Sequence, residues 1–236
     1  MEAYTYSNIF DTKGIEYIVI IFFLLLLIPF WIIVNRKSET VQQMKQAIKT
    51  LTATVLNIPR GLFYSPNHAW LYLEKNGQVR IGIDDFLVKV LGEIEVKLLK
   101  NEGEKIKKGD VIAVVEQNGK QLKLHSPVSG QIAGINADIL EDAATLLADP
   151  YGKGWMFTVE PDNWKAETVG FLMGNEVKPW VDRELRRLKD FLNVSFSRHT
   201  DPSMAVVFQE GGELQMNPLT ELDAEVWDDF QNEFME

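Results

Sequence analysis

VIAVVEQNGKQLKLHSPVSG, residues 111–130, is the stretch that decides the fold. It holds two apolar, strand-like runs, and Asn118-Gly119 stands between them. An Asn-Gly pair in this position favours a two-residue type I′ turn, because that turn needs positive φ at both central positions. Ser126-Pro127-Val128-Ser129-Gly130 ends the second run. The stretch therefore predicts an antiparallel β-hairpin whose tip is Asn118-Gly119.

The segments before and after this hairpin have the same pattern of short strands separated by turns. Strand-like runs alternate with Gly, Asn and Pro turns, and Asn76-Gly77 predicts another hairpin. Short helices are expected over 84–91 and 137–147. The blocks that carry most information are GLFYSPNHAW at 61–70, VRIGIDDF at 79–86, LGEI at 91–94, GEKIKKGD at 103–110, LED at 140–142 and DPYGKGW at 149–155.

These blocks, in this order, resemble the H protein of the glycine cleavage system over residues 62–162. The resemblance implies a mainly β fold, the lipoyl-type β sandwich known as a barrel-sandwich hybrid. In that family a lysine at the hairpin tip carries lipoate, eight residues before the proline of the Ser-Pro-Val-Ser-Gly block. Counting back eight residues from Pro127 reaches Gly119, which cannot carry the group.

The nearest lysine, Lys120, stands one position after the expected site. Because successive side chains of a strand point to opposite faces, this offset redirects the side chain as well as shifting it. The site of lipoyl attachment is therefore unknown from the sequence. We interpret Lys120 as a solvated strand lysine and expect no cofactor; the alternative is that Lys120 carries lipoate.

Composition narrows the class of protein. The net charge of −10 argues against nucleic acid as a partner, since phosphate binding needs a basic surface. The chain has no cysteine, which excludes disulfides and thiolate metal sites. The histidines His68, His125 and His199 lack metal-ligand spacing, and Asp84-Asp85 has no base or nucleophile beside it in sequence. We expect a protein that is not an enzyme and has no metal site.

Residues 17–34 form an uncharged, strongly apolar segment after a short N-terminal tail, 1–16. At about 1.5 Å per residue, a helix of this length spans roughly 27 Å, close to the hydrocarbon thickness of a bilayer. The segment predicts an N-terminal transmembrane helix. Basic residues follow it (Arg36, Lys37, Lys45 and Lys49), so the folded domain is expected in the cytoplasm and the N-terminus outside.

Two regions flank the H-protein-like domain. Residues 38–57 predict a juxtamembrane helix that starts at Ser38. Residues 163–236 predict an α+β extension: a helix from Pro179-Trp180, a hairpin around Gly211-Gly212, and a final acidic helix after Pro218. Four apolar residues of this final helix recur at intervals of four: Leu222, Val226, Phe230 and Phe234. Such stripes more often pack on the chain's own domain, and the alternative is that these four residues bind a partner.

Three functions are consistent with these features. The first is a non-catalytic, membrane-anchored H-protein-like subunit or scaffold of a membrane-associated complex; that this complex is a redox complex is only an analogy with the family's chemistry. The second is a working lipoyl carrier modified on Lys120, either in glycine cleavage or in a membrane-tethered dithiol relay. The third is a membrane tether that recruits a cytoplasmic protein through the acidic C-terminal helix.

Overall fold

A computed structural model describes residues 13–35, 50–199 and 213–236. The chain divides into two compact units, residues 1–49 and 50–236. Of the sequence-based predictions, residues 1–12 of the N-terminal tail, residues 38–49 of the juxtamembrane helix, and most of the hairpin around Gly211-Gly212 lie outside the described residues. Residues 13–16, predicted as part of the tail, are helical.

The first unit contains one described helix, α1 (Lys13–Asn35), with Pro29 inside it. The side chains described within it, from Tyr17 to Phe30, are all exposed. Across the described residues, no helix combines the length and the apolar character that crossing a membrane requires. The transmembrane helix over 17–34 thus stays a prediction.

The second unit is mainly β in its described part. Its strands are β1 (Phe63–Tyr64), β2 (Ala69–Leu73), β3 (Val79–Ile83), β4 (Glu95–Leu98), β5 (Lys105–Ile106), β6 (Val111–Gln117), β7 (Lys120–His125), β8 (Gly130–Ile135), β9 (Phe157–Pro161) and β10 (Leu172–Met173). Its helices are α2 (Asp85–Leu91), α3 (Asp138–Glu141), α4 (Ala144–Ala148), α5 (Trp164–Glu167), α6 (Val177–His199) and α7 (Ala224–Phe230); a 3-10 turn (Gly174–Glu176) precedes α6 and a π-helical turn (Gln231–Met235) follows α7.

Within the described residues, the strands form two antiparallel sheets. The larger has the order β10-β1-β2-β3-β9-β8-β5, and the smaller has the order β4-β6-β7. Strand pairing is supported by alternation: in β7, Leu122 and Leu124 are buried whereas Gln121 and Lys123 are exposed. The buried faces enclose one apolar core, to which α2, α6 and α7 contribute side chains.

The hairpin that decides the fold forms as predicted. Gln117 pairs with Lys120, and the two residues between them have positive φ, 51° at Asn118 and 78° at Gly119. These are the signs of a type I′ turn.

The Asn76-Gly77 hairpin also forms, but its turn differs from the predicted one. The backbone N–H of Glu74 donates to the carbonyl of Gln78, and only Gly77 of the pair has positive φ. The loop therefore has three residues, because Asn76 leaves the positive-φ position to the glycine that follows it.

The predicted helices are confirmed in part. The helix predicted over 84–91 is α2, and the Asp84 carboxylate caps it by accepting from the N–H of Leu87 at 2.9 Å. The helix predicted over 137–147 is split into α3 and α4 by Asp142, whose backbone is extended. The predicted apolar face of α6 is buried: Val181, Leu185, Leu188 and Leu192.

The juxtamembrane helix predicted over 38–57 is wrong in its described part, 50–57. Thr50 forms a β-bridge with Gln215, and the N–H of Leu51 donates to the carbonyl of Leu214 at 2.7 Å. Leu51 and Leu56 are buried in the core, so tertiary contacts outweigh the local helical spacing here.

The final helix begins later than predicted. Residues 217–222 form turns, Asn217 has a φ of 57°, and α7 starts only at Ala224, after Asp223. Leu222 thus lies before the helix, although it is buried together with the apolar residues of α7.

Candidate functional site

The hairpin tip is the place where the resemblance predicts a prosthetic group. Asn118 and Gly119 are exposed there, and a Cβ atom added to Gly119 would meet no atom within 4 Å. The tip therefore has room for a lysine, but the chain has none at this position.

The space beside the tip is acidic. A depression of about 490 Å³ lies between the tip and the segment that enters β4, and Glu93, Glu95 and Glu116 line it. Glu116 is paired with Lys97, and the amide of Gln117 donates to the carbonyls of Leu91 and Glu93. The tip thus displays carboxylates and a glycine where the resemblance predicts a lysine.

Lys120 does not extend into solvent. Its Nζ donates to the backbone carbonyls of Thr220 at 2.7 Å and Leu222 at 2.8 Å. The same Nζ lies over the ring of Trp227, 5.1 Å from its centroid. Lys120 lies on the same face of β7 as the buried Leu122 and Leu124, because alternate residues of a strand share a face. This face is directed toward the C-terminal residues.

The surroundings of Lys120 affect its charge in opposite ways. Partial burial lowers the pKa of Lys120 below its ordinary value, while the carboxylates of Glu221 and Asp223 act in the other direction. The interpretation of Lys120 as a solvated lysine is corrected: its ammonium group is held by carbonyl dipoles of another segment.

The four candidate partner-binding residues are not on an exposed face. Leu222, Val226, Phe230 and Phe234 are 5 %, 0 %, 0 % and 3 % exposed. Phe230 and Phe234 stack on each other with centroids 4.5 Å apart, and Phe191 of α6 meets both edge-on. The structure therefore agrees with packing on the chain's own domain and not with an exposed partner-binding face. All four side chains are part of the domain's apolar core.

The most polar cluster in the core surrounds His68, which is fully buried. Its Nδ1 lies 2.9 Å from Oδ2 of Asp84, and its Nε2 lies 3.8 Å from Oε2 of Glu184, beyond hydrogen-bond distance. The imidazole ring is stacked between Phe86, at 4.4 Å, and Trp180, at 5.2 Å.

Two carboxylates keep this histidine protonated. Burial alone would lower the pKa of His68, but Asp84 and Glu184 outweigh it and raise the pKa to about 9. Burial acts to raise the pKa of Glu184, yet the His68 cation holds it below its usual value. The cluster is a buried, charged link between β2, α2 and α6.

Sequence reasoning missed this cluster, since it found no base beside Asp84-Asp85. The signal that could have found it is strand register: Ala69 pairs with Ile83, so the preceding His68 lies opposite Asp84. His125 lies apart from it, beside a separate cavity, and the side chain of His199 is outside the described part. Among the described residues, no group of three His, Cys, Asp or Glu residues is arranged to hold a metal ion.

The fold and the site define a class: a mainly β domain built around a hairpin of the lipoyl-carrier type, with glycine where the carrier lysine is expected. The family described as "Glycine cleavage H-protein" matches residues 62–181. The chain belongs to this family.

Curated relatives agree with the assignment. The glycine cleavage system H protein of Carboxydothermus hydrogenoformans is 40% identical over 127 residues, which are 54% of this chain and 96% of that protein. The H protein of Psychrobacter sp. (strain PRwf-1) is 36% identical over 107 residues, 45% of this chain and 85% of that protein. A crystal structure of the H protein from Mycobacterium marinum is 32% identical, with a TM-score of 0.42, and covers 48% of this chain and 97% of that one.

Proposed function

We propose that this protein is a non-catalytic scaffold subunit of the H-protein family that works without a lipoyl arm, in a membrane-associated complex. The observation that carries the proposal is the hairpin tip, where Gly119 occupies the expected attachment position and Lys120 is bound to other residues of the chain. A carrier needs a side chain that swings free of the domain, and the tip offers none.

The bonding of Lys120 also disfavours the alternative in which it carries lipoate. An ammonium group has three N–H donors, and two hydrogen bonds join it here to the carbonyls of Thr220 and Leu222. An acylated lysine is a neutral amide with a single N–H, so it could satisfy only one of these carbonyls. Lipoylation would therefore cost a charge-assisted hydrogen bond and disturb the contact with Trp227.

The first test is to restore the missing lysine. We expect a lipoate–protein ligase to modify the Gly119→Lys variant at position 119 and to leave the unaltered chain unmodified, because the tip has room for the side chain. Lysine at a φ of 78° should cost about 1 kcal/mol of stability, which a folded domain tolerates. Peptide mass spectrometry locates the modification.

Gly77→Lys is the matched control, since Gly77 is also a positive-φ turn glycine with open space around it. It should stay unmodified, because its hairpin is not the one that resembles a carrier. Modification of the unaltered chain on Lys120 would contradict the proposal and favour the lipoyl carrier.

We propose further that the protein is held at a membrane through residues 17–34, with its N-terminus outside and its folded domain in the cytoplasm. The support is the apolar sequence of this segment and the exposure of its side chains from Tyr17 to Phe30 in α1. Such a surface is unfavourable in water, at about 25 cal/mol per Å² of exposed apolar area.

Fractionation tests the attachment. The full chain should sediment with membranes, resist high salt and alkaline washing, and be released by detergent, whereas a chain without residues 13–35 should stay in the supernatant. A full chain that salt releases would contradict attachment through an apolar segment. A C-terminal reporter active only outside the cytoplasm would reverse the proposed orientation.

A further inference from the structure

A cavity of about 280 Å³ lies at the end of β7 that is opposite the hairpin tip. Four segments line it: residues 65–67 between β1 and β2, 108–109 between β5 and β6, 125–127 at the end of β7, and 169–171 before β10. We propose that this cavity, here called the loop cavity, binds a small organic acid, in which a carboxylate is attached to a compact apolar body.

The loops around the cavity are joined by hydrogen bonds. The N–H of Gly109 donates to the carbonyl of Ser126 at 2.8 Å, and the N–H of Lys108 donates to Oγ of Ser129 at 3.0 Å. Ser129 in turn donates from its N–H and its Oγ to the carboxylate of Glu167, at 2.7 and 2.6 Å. The cavity is therefore largely preformed, as small-molecule sites usually are.

The lining of the cavity is basic although the chain is acidic. The net charge is −10, yet none of the described residues that line the cavity is Asp or Glu. Lys108 lines it, and its Nζ donates to the carbonyl of Glu167 at 2.7 Å and lies 5.0 Å from the ring centroid of Phe171. This hydrogen bond uses one of the three N–H donors of an ammonium group, so Lys108 can also bind an anion.

Apolar side chains line the same cavity. Pro66, Pro127 and Phe171 belong to the lining, and so does Val169, which is 79 % exposed. Apolar walls with a few polar groups are typical of ligand sites, and the volume is at the small end of their range. The lining therefore suits a small ligand that has both an apolar body and a negative charge.

His125 gives a second, independent indication of a ligand. It is the last residue of β7 and lines the cavity, and its buried Nδ1 has no hydrogen-bond partner among the described residues. Unpaired buried polar atoms are rare, because such an atom has lost its bonds to water without replacing them. The orphaned nitrogen thus favours a ligand that brings a polar group to this wall.

Fluorine NMR with 4-fluorophenylacetate tests the binding, because this acid joins a carboxylate to a small aromatic ring. Its signal should broaden when the full chain in detergent is added, beyond the change that detergent alone produces. The neutral counterpart, 4-fluorophenylacetamide, should bind about threefold to fivefold more weakly, as expected for the loss of one partly exposed charge pair.

Two variants locate the binding. Lys108→Met removes the positive charge and keeps an unbranched side chain, so it should weaken binding of the acid by about threefold or more. Lys107→Met is its matched control, since Lys107 is an exposed neighbour that does not line the cavity. Val169→Asp places a carboxylate in the lining at an exposed position and should weaken binding at least as much. Val194→Asp is its control, at a 47 % exposed position of α6 outside the cavity.

Both control variants should bind the acid as the unaltered chain does. The proposal would be overturned if the unaltered chain did not bind the acid, if the neutral amide bound equally well, or if either Lys108→Met or Val169→Asp left binding unchanged. Equal losses in the control variants would also overturn it, because the charge effect would then come from elsewhere on the surface.

The loop cavity goes beyond the scaffold role and does not depend on the absence of lipoate. Its failure appears in binding of the acid, whereas failure of the proposed function appears in the mass of the modified chain.

Discussion

Gly119 and Lys120 occupy adjacent positions with different environments. Gly119 is surrounded by open space, while Lys120 is bonded to the carbonyls of Thr220 and Leu222. Successive side chains of a strand point to opposite faces, so a lysine moved by one position points in a different direction. Here it packs at the edge of the core and does not extend into solvent as a carrier lysine would. This difference is the basis of the proposal that the chain works without a lipoyl arm.

The charge of His68 gives a prediction for pH dependence. Its pKa is about 9 in the folded protein and near 6.5 when unfolded, so protonation stabilises the fold. This contribution is complete below about pH 6.5 and is lost as the pH rises through about 9; its size is on the order of 3 kcal/mol. Denaturant unfolding between pH 6 and 9 measures the loss.

His68→Asn is the reference variant, because asparagine tolerates the φ of 59° at this position and does not titrate. Its stability should change much less over the same range. Tyr64 and Tyr151, whose pKa values burial raises, add their own losses only at higher pH. A wild-type protein whose stability is flat from pH 6 to 9 would show that His68 is neutral.

Features of single residues could be predicted from the sequence where they depend only on residues close by in the chain. Asn118-Gly119 specifies its turn by its own backbone preferences, and Asp84 caps the next residues of the chain. The contacts of His68 with Glu184 and of Lys120 with Thr220 were not predictable, because Glu184 and Thr220 are distant in sequence. Only tertiary packing brings them together.

At the scale of elements, α7 is a structural part of the domain. Trp227 is 1 % exposed, its Nε1 donates to the carbonyl of Leu219 at 2.9 Å, and Lys120 lies over its ring. We expect Trp227→Ala to destabilise the protein by about 3–5 kcal/mol, the usual cost of removing a buried aromatic side chain. Denaturant or thermal unfolding measures it.

Asp228→Ala is the control on the same helix, because Asp228 is exposed. It should change stability by no more than about 0.5 kcal/mol. If Trp227→Ala were equally mild, the C-terminal helix would be a loosely attached element, and the interpretation of its apolar face as core would be wrong.

Element boundaries were harder to predict than element types. The spacing of Leu222, Val226 and Phe230 continues a helical pattern upstream of Ala224, yet the turn begun at Asn217 delays the helix. In the same way, the spacing of Leu51 and Val55 suggests a helix, but the bridge from Thr50 to Gln215 fixes an extended start. At Leu222 the periodicity records burial before the helix begins, whereas Val55 is 42 % exposed, so the helical spacing of residues 51–55 does not mark one buried face.

At the scale of the whole molecule, the chain combines an H-protein-family domain with segments that the curated relatives do not match. The family match ends at residue 181, and side chains from residues 219–235 add to the core from beyond it. The apolar segment 17–34 lies before it.

The intact mass of the chain, purified from its native host by detergent extraction, tests the central claim most directly. The account predicts an unmodified mass in cells whose other lipoyl proteins are fully modified, together with co-purifying proteins. A mass increased by one lipoyl group, and lost in Lys120→Arg, would contradict it and identify the protein as a carrier.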